Sequence, residues 1–501
     1  MLRILLVGCL SAFLGLSAIA ATPCEKLTSL NLPETTIVSA QTVNAGEFKL
    51  LSGGRGANPN APFEKLPPFC RVRATLKPTV DSDIKIEVWL PLQGWNGKLQ
   101  SVGNGAWAGV ISFPALAAAV GAGYAAASTD TGHEGNNPDF IPGHPEKLAD
   151  FIYRAPHEMT VAAKSIINGY YGNAPKYSYW NGCSTGGRQA LTEAQRYPND
   201  YDGIIAGAPA AFVTHLQGMQ VWVNQMAHRD PKAYIPAEKF SMLHQAVLAA
   251  CDAQDGVKDG VIENPMKCKF DPQVLACKEG DGPNCLNAEQ VETARMMYAG
   301  PVEHGKNLFP GVEPGSETGW NTLAGAKPMS LAVEVYKYAA GKYAANPNWD
   351  INDFKLSDID QFEKQNGTVV DSVDPNLKPF FEVKGKLLMY HGWADPGVPP
   401  MGTVNYFHNV TKTVGSEAEA SMRLFMVPGM GHCGGGDGTS TFNMIPALER
   451  WVEQGSAPER VEASRMRDGK VDRTRPLCAF PKVAVYTGNG STDEAANFSC
   501  K

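Results

Sequence analysis

Tyr177 to Pro198 reads YSYWNGCSTGGRQALTEAQRYP. The apolar, aromatic run from Tyr177 to Trp180 has the composition of a strand, and Gly186 to Tyr197 has that of a helix. Between them lies Gly182-Cys183-Ser184-Thr185-Gly186, a G-x-S-x-G pentapeptide. A serine on a tight strand-to-helix turn has its Oγ pushed out at the carboxyl end of a sheet, and the flanking glycines let the backbone pass without clash. In a chain with 51 glycines the pentapeptide alone also fits a plain turn. The strand before it and the helix after it are what make it a nucleophile elbow.

An elbow of this kind needs an acid and then a histidine further along, each after a late strand. GKLLMYHGWADPGVPP offers a buried strand at Lys386 to His391 with Asp395 in the loop beyond it. SMRLFMVPGMGHCGGG offers a strand at Met422 to Val427 with His432 in a glycine-rich loop. The expected roles are Ser184 as nucleophile, His432 as general base and then acid, and Asp395 as the group that orients the imidazole. Asp437 lies too near the histidine in sequence, and Asp130 precedes the serine, so both are weaker acids. His391 falls at a strand end, and His133, His144 and His157 precede the serine; their default reading is core, surface or supporting residues. An oxyanion hole needs backbone N–H groups: Thr185 supplies one, and VGNGAW at Val102 to Trp107 supplies the other through Gly103 or Gly105. His133 and Glu134 are further, weaker candidates for lining the site.

Cys183 precedes the serine and Cys433 follows the histidine. If Ser184 and His432 touch, the two cysteines are close enough for a disulfide that ties the elbow to the histidine loop. This CS…D…HC pattern resembles the tannase and feruloyl esterase family, which includes the hydrolase of mono(2-hydroxyethyl) terephthalate. The resemblance runs along the mature chain through SVGNGAWAG, TDTGH at Thr129 to His133, and CDAQDGVKDGVIENP at Cys251 to Pro265. It implies an α/β-hydrolase fold with a large lid, and a secreted serine esterase that cleaves small or plant-polymer-linked esters of aromatic acids such as ferulate or gallate. No arginine of the lid matches the one that grips a carboxylate in the terephthalate half-ester hydrolase, so that activity ranks behind the other two.

In the Cys251 to Pro265 stretch, Asp252, Asp255 and Asp259 fall within eight residues, interleaved with Gly256 and Gly260. Hard carboxylate oxygens on a tight loop suit calcium, although the EF-hand spacing is missing. Composition alone favours a solvated acidic turn. The family resemblance implies a structural calcium held by the three aspartates and the backbone carbonyls of Val257 and Val261.

Of eleven cysteines, Cys9 falls in MLRILLVGCLSAFLGLSAIAATPC, which has the basic start, apolar core and Ala18-Ile19-Ala20 cleavage signal of a secretory leader. Ten remain, and an even number behind such a leader indicates an oxidising destination, extracellular or periplasmic. Short spacings suggest Cys251 with Cys268, Cys277 with Cys285, and Cys478 with Cys500. The family pattern implies Cys24 with Cys70 and Cys183 with Cys433. A net charge of −7 and the lack of a basic cluster argue against nucleic-acid or anionic-membrane partners. No later run reaches the roughly 18 apolar residues of a membrane span.

From Lys85 to Pro209 strand and helix patterns alternate as in a doubly wound α/β domain. The rhythm fails from Ala210 to about Phe380 and resumes at Lys384. The expected organisation is a leader at 1–20, a catalytic domain from 21–209 and 381–501, and a lid at 210–380 carrying the calcium loop. The segments before Pro78 and after Arg475 read as less regular, each pinned by a cysteine pair. Two other functions fit less well: a serine hydrolase of small esters, lactones or peptides, and a non-catalytic binding protein on a hydrolase scaffold, which has no need of all three triad residues.

Overall fold

The computed structural model describes residues 22–50 and 58–501. The expected leader at 1–20, with Cys9, lies outside the described residues. Nine strands form one mixed sheet: β1 (Thr35–Val43), β2 (Phe69–Leu76), β3 (Ile84–Pro91), β4 (Lys98–Val102), β5 (Ala125–Thr129), β6 (Tyr177–Cys183), β7 (Gly203–Gly207), β8 (Lys386–Gly392) and β9 (Met422–Val427). Their spatial order is β1-β2-β3-β5-β4-β6-β7-β8-β9. The pairs β1–β2, β2–β3 and β3–β5 are antiparallel, and every pair from β5–β4 to β8–β9 is parallel. This is the α/β-hydrolase fold.

Parallel strands covered on both faces read as nearly unbroken apolar runs. Both β5 and β7 are buried at every residue. Adjacent residues separate onto the two faces with a period of two: Val88, Trp180 and Ile204 join one apolar cluster, while Trp89, Tyr179 and Ile205 join the other. Helices Phe113–Gly121, Ala155–Tyr171, Thr185–Arg196 and Ile445–Gln454 contribute to these clusters.

Strands β1 and β2 lie where the sequence reads as irregular. They are the outer, antiparallel end of the sheet, and β2 carries Arg71 and Arg73 between buried neighbours. Arg71 Nε donates to Glu87 Oε2 on β3 at 2.8 Å, a partner 16 residues away. Strand β6 runs three residues beyond Trp180, to Cys183, because Gly182 and Cys183 continue in register beside Ala206 and Gly207 of β7. The sheet therefore delivers the chain directly to Ser184.

Between β7 and β8 the chain leaves the sheet for a largely helical insert that includes Val213–Ala227, Glu238–Cys251, Ala288–Ala299 and Ser357–Val370. Leu216, Phe240, Trp320, Tyr336 and Phe362 of the insert share one apolar cluster with Trp107 and Phe151 of the hydrolase body. The insert is thus fused to the body through a common core. After β9 come an antiparallel hairpin, Arg460–Arg467 with Lys470–Cys478, and a short pair, Ala484–Tyr486 with Phe498–Cys500. Five disulfides close the chain: Cys24–Cys70, Cys183–Cys433, Cys251–Cys268, Cys277–Cys285 and Cys478–Cys500. No helix among the described residues is long and apolar enough to cross a membrane.

Candidate active site

Ser184 sits at φ 64° and ψ −120° between β6 and the helix Thr185–Arg196. This is a left-handed conformation that a serine adopts only where the surroundings impose it. The turn closes because its neighbours are glycines: a Cβ on Gly182 would lie 2.5 Å from Gly186 O, and one on Gly103 would lie 2.4 Å from Gly186 Cα. The strain throws Oγ outward, where it donates to His432 Nε2 at 2.8 Å. His432 Nδ1 donates in turn to Asp395 Oδ2 at 2.6 Å.

Asp395 is completely buried. Its Oδ1 accepts the N–H groups of Gly397 at 2.8 Å and Val398 at 2.9 Å. Its Oδ2 also accepts from His391 Nε2 at 3.1 Å. Burial by itself would raise the Asp395 carboxyl, but the charges and hydrogen bonds of His432 and His391 hold it well below the usual carboxylate range. Burial likewise would lower His432, yet the adjacent Asp395 carboxylate holds the imidazole above its ordinary value. His391 is therefore a support for the acid: its Nε2 also donates to Val398 O at 2.9 Å, and its Nδ1 accepts from Thr403 Oγ1 at 2.7 Å. No local motif marks this histidine, because its partners come from the loop that folds back over it.

The N–H of Thr185, first in its helix, donates to no described group, nor does that of Gly105. Both residues line the cavity beside Ser184. Thr185 Oγ1 donates to Ala106 O at 2.6 Å, which locks the two loops together. The expectation for Gly103 is corrected: its N–H donates to Asn181 O at 3.1 Å, extending the β4–β6 ladder by one residue. Gly103 serves by its missing Cβ rather than its N–H. Asn104 fixes the same loop, since its Nδ2 donates to Val110 O and Thr129 O, and its N–H to Gln189 Oε1.

His133 is buried, pairs through Nε2 with Trp107 O at 2.8 Å and stacks on Phe140. It supports the Gly103–Trp107 loop from behind, and Glu134 is exposed. Asp130 accepts the N–H groups of Lys85 and Gly132, with burial pushing its carboxyl up to about 7; it is a turn cap, far in role from an acid partner of His432. Asp437 lies at the cavity margin, 3.7 Å from His244 Nε2 on the insert. A cavity of about 1010 Å³ lies over Ser184 and His432, walled by Trp107, Phe151, Val213, Leu216, Met329 and Val398 among others. Such a volume holds a ring-bearing ester with room to spare.

In the aspartate loop, Asp252 Oδ1 and Oδ2 accept the N–H groups of Asp259 and Gly260. Asp259 Oδ2 accepts from Arg475 at 2.6 Å and from Arg473 at 3.1 Å. Burial first, and then the charges of Asp259 and Asp252, raise the Asp255 carboxyl. The carbonyls of Val257 and Val261 accept no hydrogen bond from described residues. Asp255, Asp259 and Glu263 border a small cavity of about 20 Å³.

Residues 70–501 match the family model described as tannase and feruloyl esterase. The chain is 36% identical to an uncharacterized esterase of Xanthomonas campestris over 97% of its length and 92% of that protein. It is 32% identical to a probable feruloyl esterase B-1 of Aspergillus flavus over 85% of each chain. The crystal structure of feruloyl esterase B from Aspergillus oryzae superposes with a TM-score of 0.88 at 29% identity, covering 95% of this chain and 99% of that one. Tannin acyl hydrolase from Aspergillus niger, at 24% identity and a TM-score of 0.77 over 96% of this chain and 93% of that one, shares the fold.

Proposed function

The chain belongs to the tannase and feruloyl esterase family and is a carboxylic ester hydrolase; from that premise we propose that it is a secreted serine esterase of phenolic acid esters, working through an acyl-enzyme. The observation that carries the mechanism is the unbroken chain Ser184 Oγ to His432 Nε2 to Asp395 Oδ2, at 2.8 and 2.6 Å, beside two unspent backbone N–H groups.

In the proposed cycle the ester carbonyl lies against the N–H groups of Thr185 and Gly105. Ser184 Oγ attacks the carbonyl carbon while His432 Nε2 takes its proton. The imidazolium is stabilised by Asp395, whose carboxylate stays ionised. Negative charge on the former carbonyl oxygen is met by the two N–H groups, which have no other partner among the described residues. Collapse expels the alcohol, which takes the proton from His432. Water then repeats the steps on the acyl-enzyme, releasing the acid and restoring Ser184. The largely apolar cavity suits an aromatic acyl group, and names of relatives in this family point to feruloyl esters.

The same reading treats the insert, at 210–380, as a lid, since its residues wall the cavity over the nucleophile, and residues 21–209 with 381–501 as the catalytic domain. It gives the aspartate loop a structural calcium. Asp255 and Asp259 border the small cavity, which Arg473 and Arg475 also line, and the carbonyls of Val257 and Val261 accept no hydrogen bond from described residues; hard oxygens of this kind suit the cation, and the three carboxylates would draw together around it. Asp252, Asp255, Asp259 and the carbonyls of Val257 and Val261 would hold it, supplying charge balance in the loop and no step of the reaction. Five disulfides support an oxidising destination.

The test is a panel of methyl ferulate, methyl gallate, chlorogenate and p-nitrophenyl acetate, with products identified and Ser184→Ala as control. Hydrolysis of the phenolic esters by the wild type and a loss of several orders of magnitude in kcat in the variant are expected. Cleavage of p-nitrophenyl acetate alone defeats the phenolic-ester reading, and full turnover by Ser184→Ala defeats the mechanism.

A further inference from the structure

Gln217 and Gln220 lie three residues apart on the helix Val213–Ala227, and so on one face of it. Both line the cavity that holds Ser184 and His432, at 6% and 2% exposure. Side-chain amides buried to this degree are hydrogen-bonded as a rule. These two are not fully so. Gln220 Nε2 donates to Gly397 O at 2.6 Å, which ties the insert to the acid loop, but its Oε1 is sealed from solvent without a donor. The Gln217 side chain makes no hydrogen bond with any described residue, and its Oε1 is likewise sealed and unpaired. The buried face of this mixed apolar and polar wall thus carries one idle primary amide and a second idle acceptor beside it, whereas Asn136, the other lining amide without a hydrogen bond to a described residue, is exposed.

We propose that Gln217, with Gln220 behind it, is the specificity end of the acyl pocket: a hydroxyl on the substrate's aromatic ring pairs with the Gln217 amide, so hydroxylated aromatic acids are selected over the same acids without the hydroxyl. This rests on the phenolic-ester reading above. A ring hydroxyl is both donor and acceptor, and the terminal torsion of glutamine is soft, so the amide meets it through Nε2 or Oε1. A bare ring covers the amide without pairing it, which is the costly case for a buried polar group. The neutral amide also favours a hydroxyl over a second carboxylate. Among the described lining residues Arg188 is the only permanent cation, and it is tied to the hydrolase body: Nη1 donates to Ile152 O at 2.9 Å, Nη2 to Phe151 O at 3.5 Å, and the guanidinium stands 5.2 Å from the centre of the Phe151 ring.

The experiment compares methyl 4-hydroxycinnamate with methyl cinnamate, which share ring, spacer and leaving group, on the wild type and on Gln217→Met, with p-nitrophenyl acetate as reference. The wild type is expected to favour the hydroxylated ester by about tenfold or more in kcat/KM, after correction for the two esters' alkaline hydrolysis rates, and Gln217→Met to bring that ratio to within about twofold of unity. Calorimetric binding of the two free acids to Ser184→Ala should show the same preference, and this measurement leaves position 217 untouched if Gln217→Met does not fold. Equal binding of the acids, no wild-type preference, or a preference that survives Gln217→Met overturns the proposal. Hydrolysis of both cinnamates at equal rates sinks the role of Gln217 alone. Turnover of p-nitrophenyl acetate with neither cinnamate touched sinks the phenolic-ester reading as well.

Discussion

Asp395→Asn is the substitution whose outcome the geometry fixes most tightly. Asparagine keeps the size of the side chain but replaces one oxygen with NH₂, and every position around Asp395 is occupied by a donor. With NH₂ at the Oδ2 position it faces His432 Nδ1 and His391 Nε2, at 2.6 and 3.1 Å. With NH₂ at the Oδ1 position it faces the N–H groups of Gly397 and Val398, at 2.8 and 2.9 Å. The first arrangement is relieved by moving the His432 proton to Nε2, which leaves no lone pair for the Ser184 hydroxyl. The second opens the acid loop. Either way the loss in kcat should be about 10⁴-fold, equivalent to roughly 5.5 kcal/mol of barrier.

A pH profile gives the same substitution a second readout. Turnover needs neutral His432, so wild-type kcat/KM should rise with pH through a value above the ordinary imidazole pKa of 6.5, because Asp395 outweighs burial there. Without the carboxylate charge, the residual activity of Asp395→Asn should climb at lower pH than in the wild type. Steady-state kinetics on a chromogenic ester between about pH 5 and 9 measures both effects. A loss smaller than tenfold, a limb that moves to higher pH, or a 10⁴-fold loss produced by Asp437→Asn instead would refute the assignment of the acid.

Cys183→Ala with Cys433→Ala should depress kcat well below the melting temperature of the double variant, since the bond holds elbow and histidine loop together and a shift of about 1 Å costs on the order of a hundredfold in rate. Stability should fall by at most about 5 kcal/mol, the chain-entropy figure for a closure of 250 residues; unchanged kcat argues that the loops are held without it. Excess EGTA should lower Tm, with calcium at a hundredfold over Kd restoring about 2.7 kcal/mol, and equal melting curves with no metal by elemental analysis would remove the ion from the aspartate loop. His244 is one group through which stability should respond to pH: burial lowers it, but Glu317, at 2.8 Å, and Asp437 outweigh that and raise it. Its contribution is therefore full below the unfolded value of 6.5 and declines as pH rises through the higher folded value; thermal unfolding of His244→Gln should show a weaker decline over that window than the wild type, and parallel curves would count against it.

What was legible in the sequence is what short stretches of backbone decide. The elbow is a turn that only glycines on either side of Ser184 permit, and the acid and histidine each follow the end of an apolar strand, so residue type and order suffice to find them. Strands β1 and β2 were not legible, because their alternation is weak and their stability comes from partners such as Glu87 across the sheet. The fate of the Gly103 N–H depended on one further rung of the β4–β6 ladder, a matter of register that composition does not reveal. The specific role of His391, read from sequence only as a core, surface or supporting residue, and that of Gln217 were hidden for a stronger reason. One becomes a support of the acid only when the Gly397–Val398 loop returns over it, and the other becomes a cavity wall only when the insert packs on Trp107 and Phe151. Reaction type is therefore written in local motifs and read early, whereas on the proposed reading substrate choice is written in contacts between the insert and the body. The residues that choose between two aromatic acids have to be sought among the unpaired polar groups of that interface.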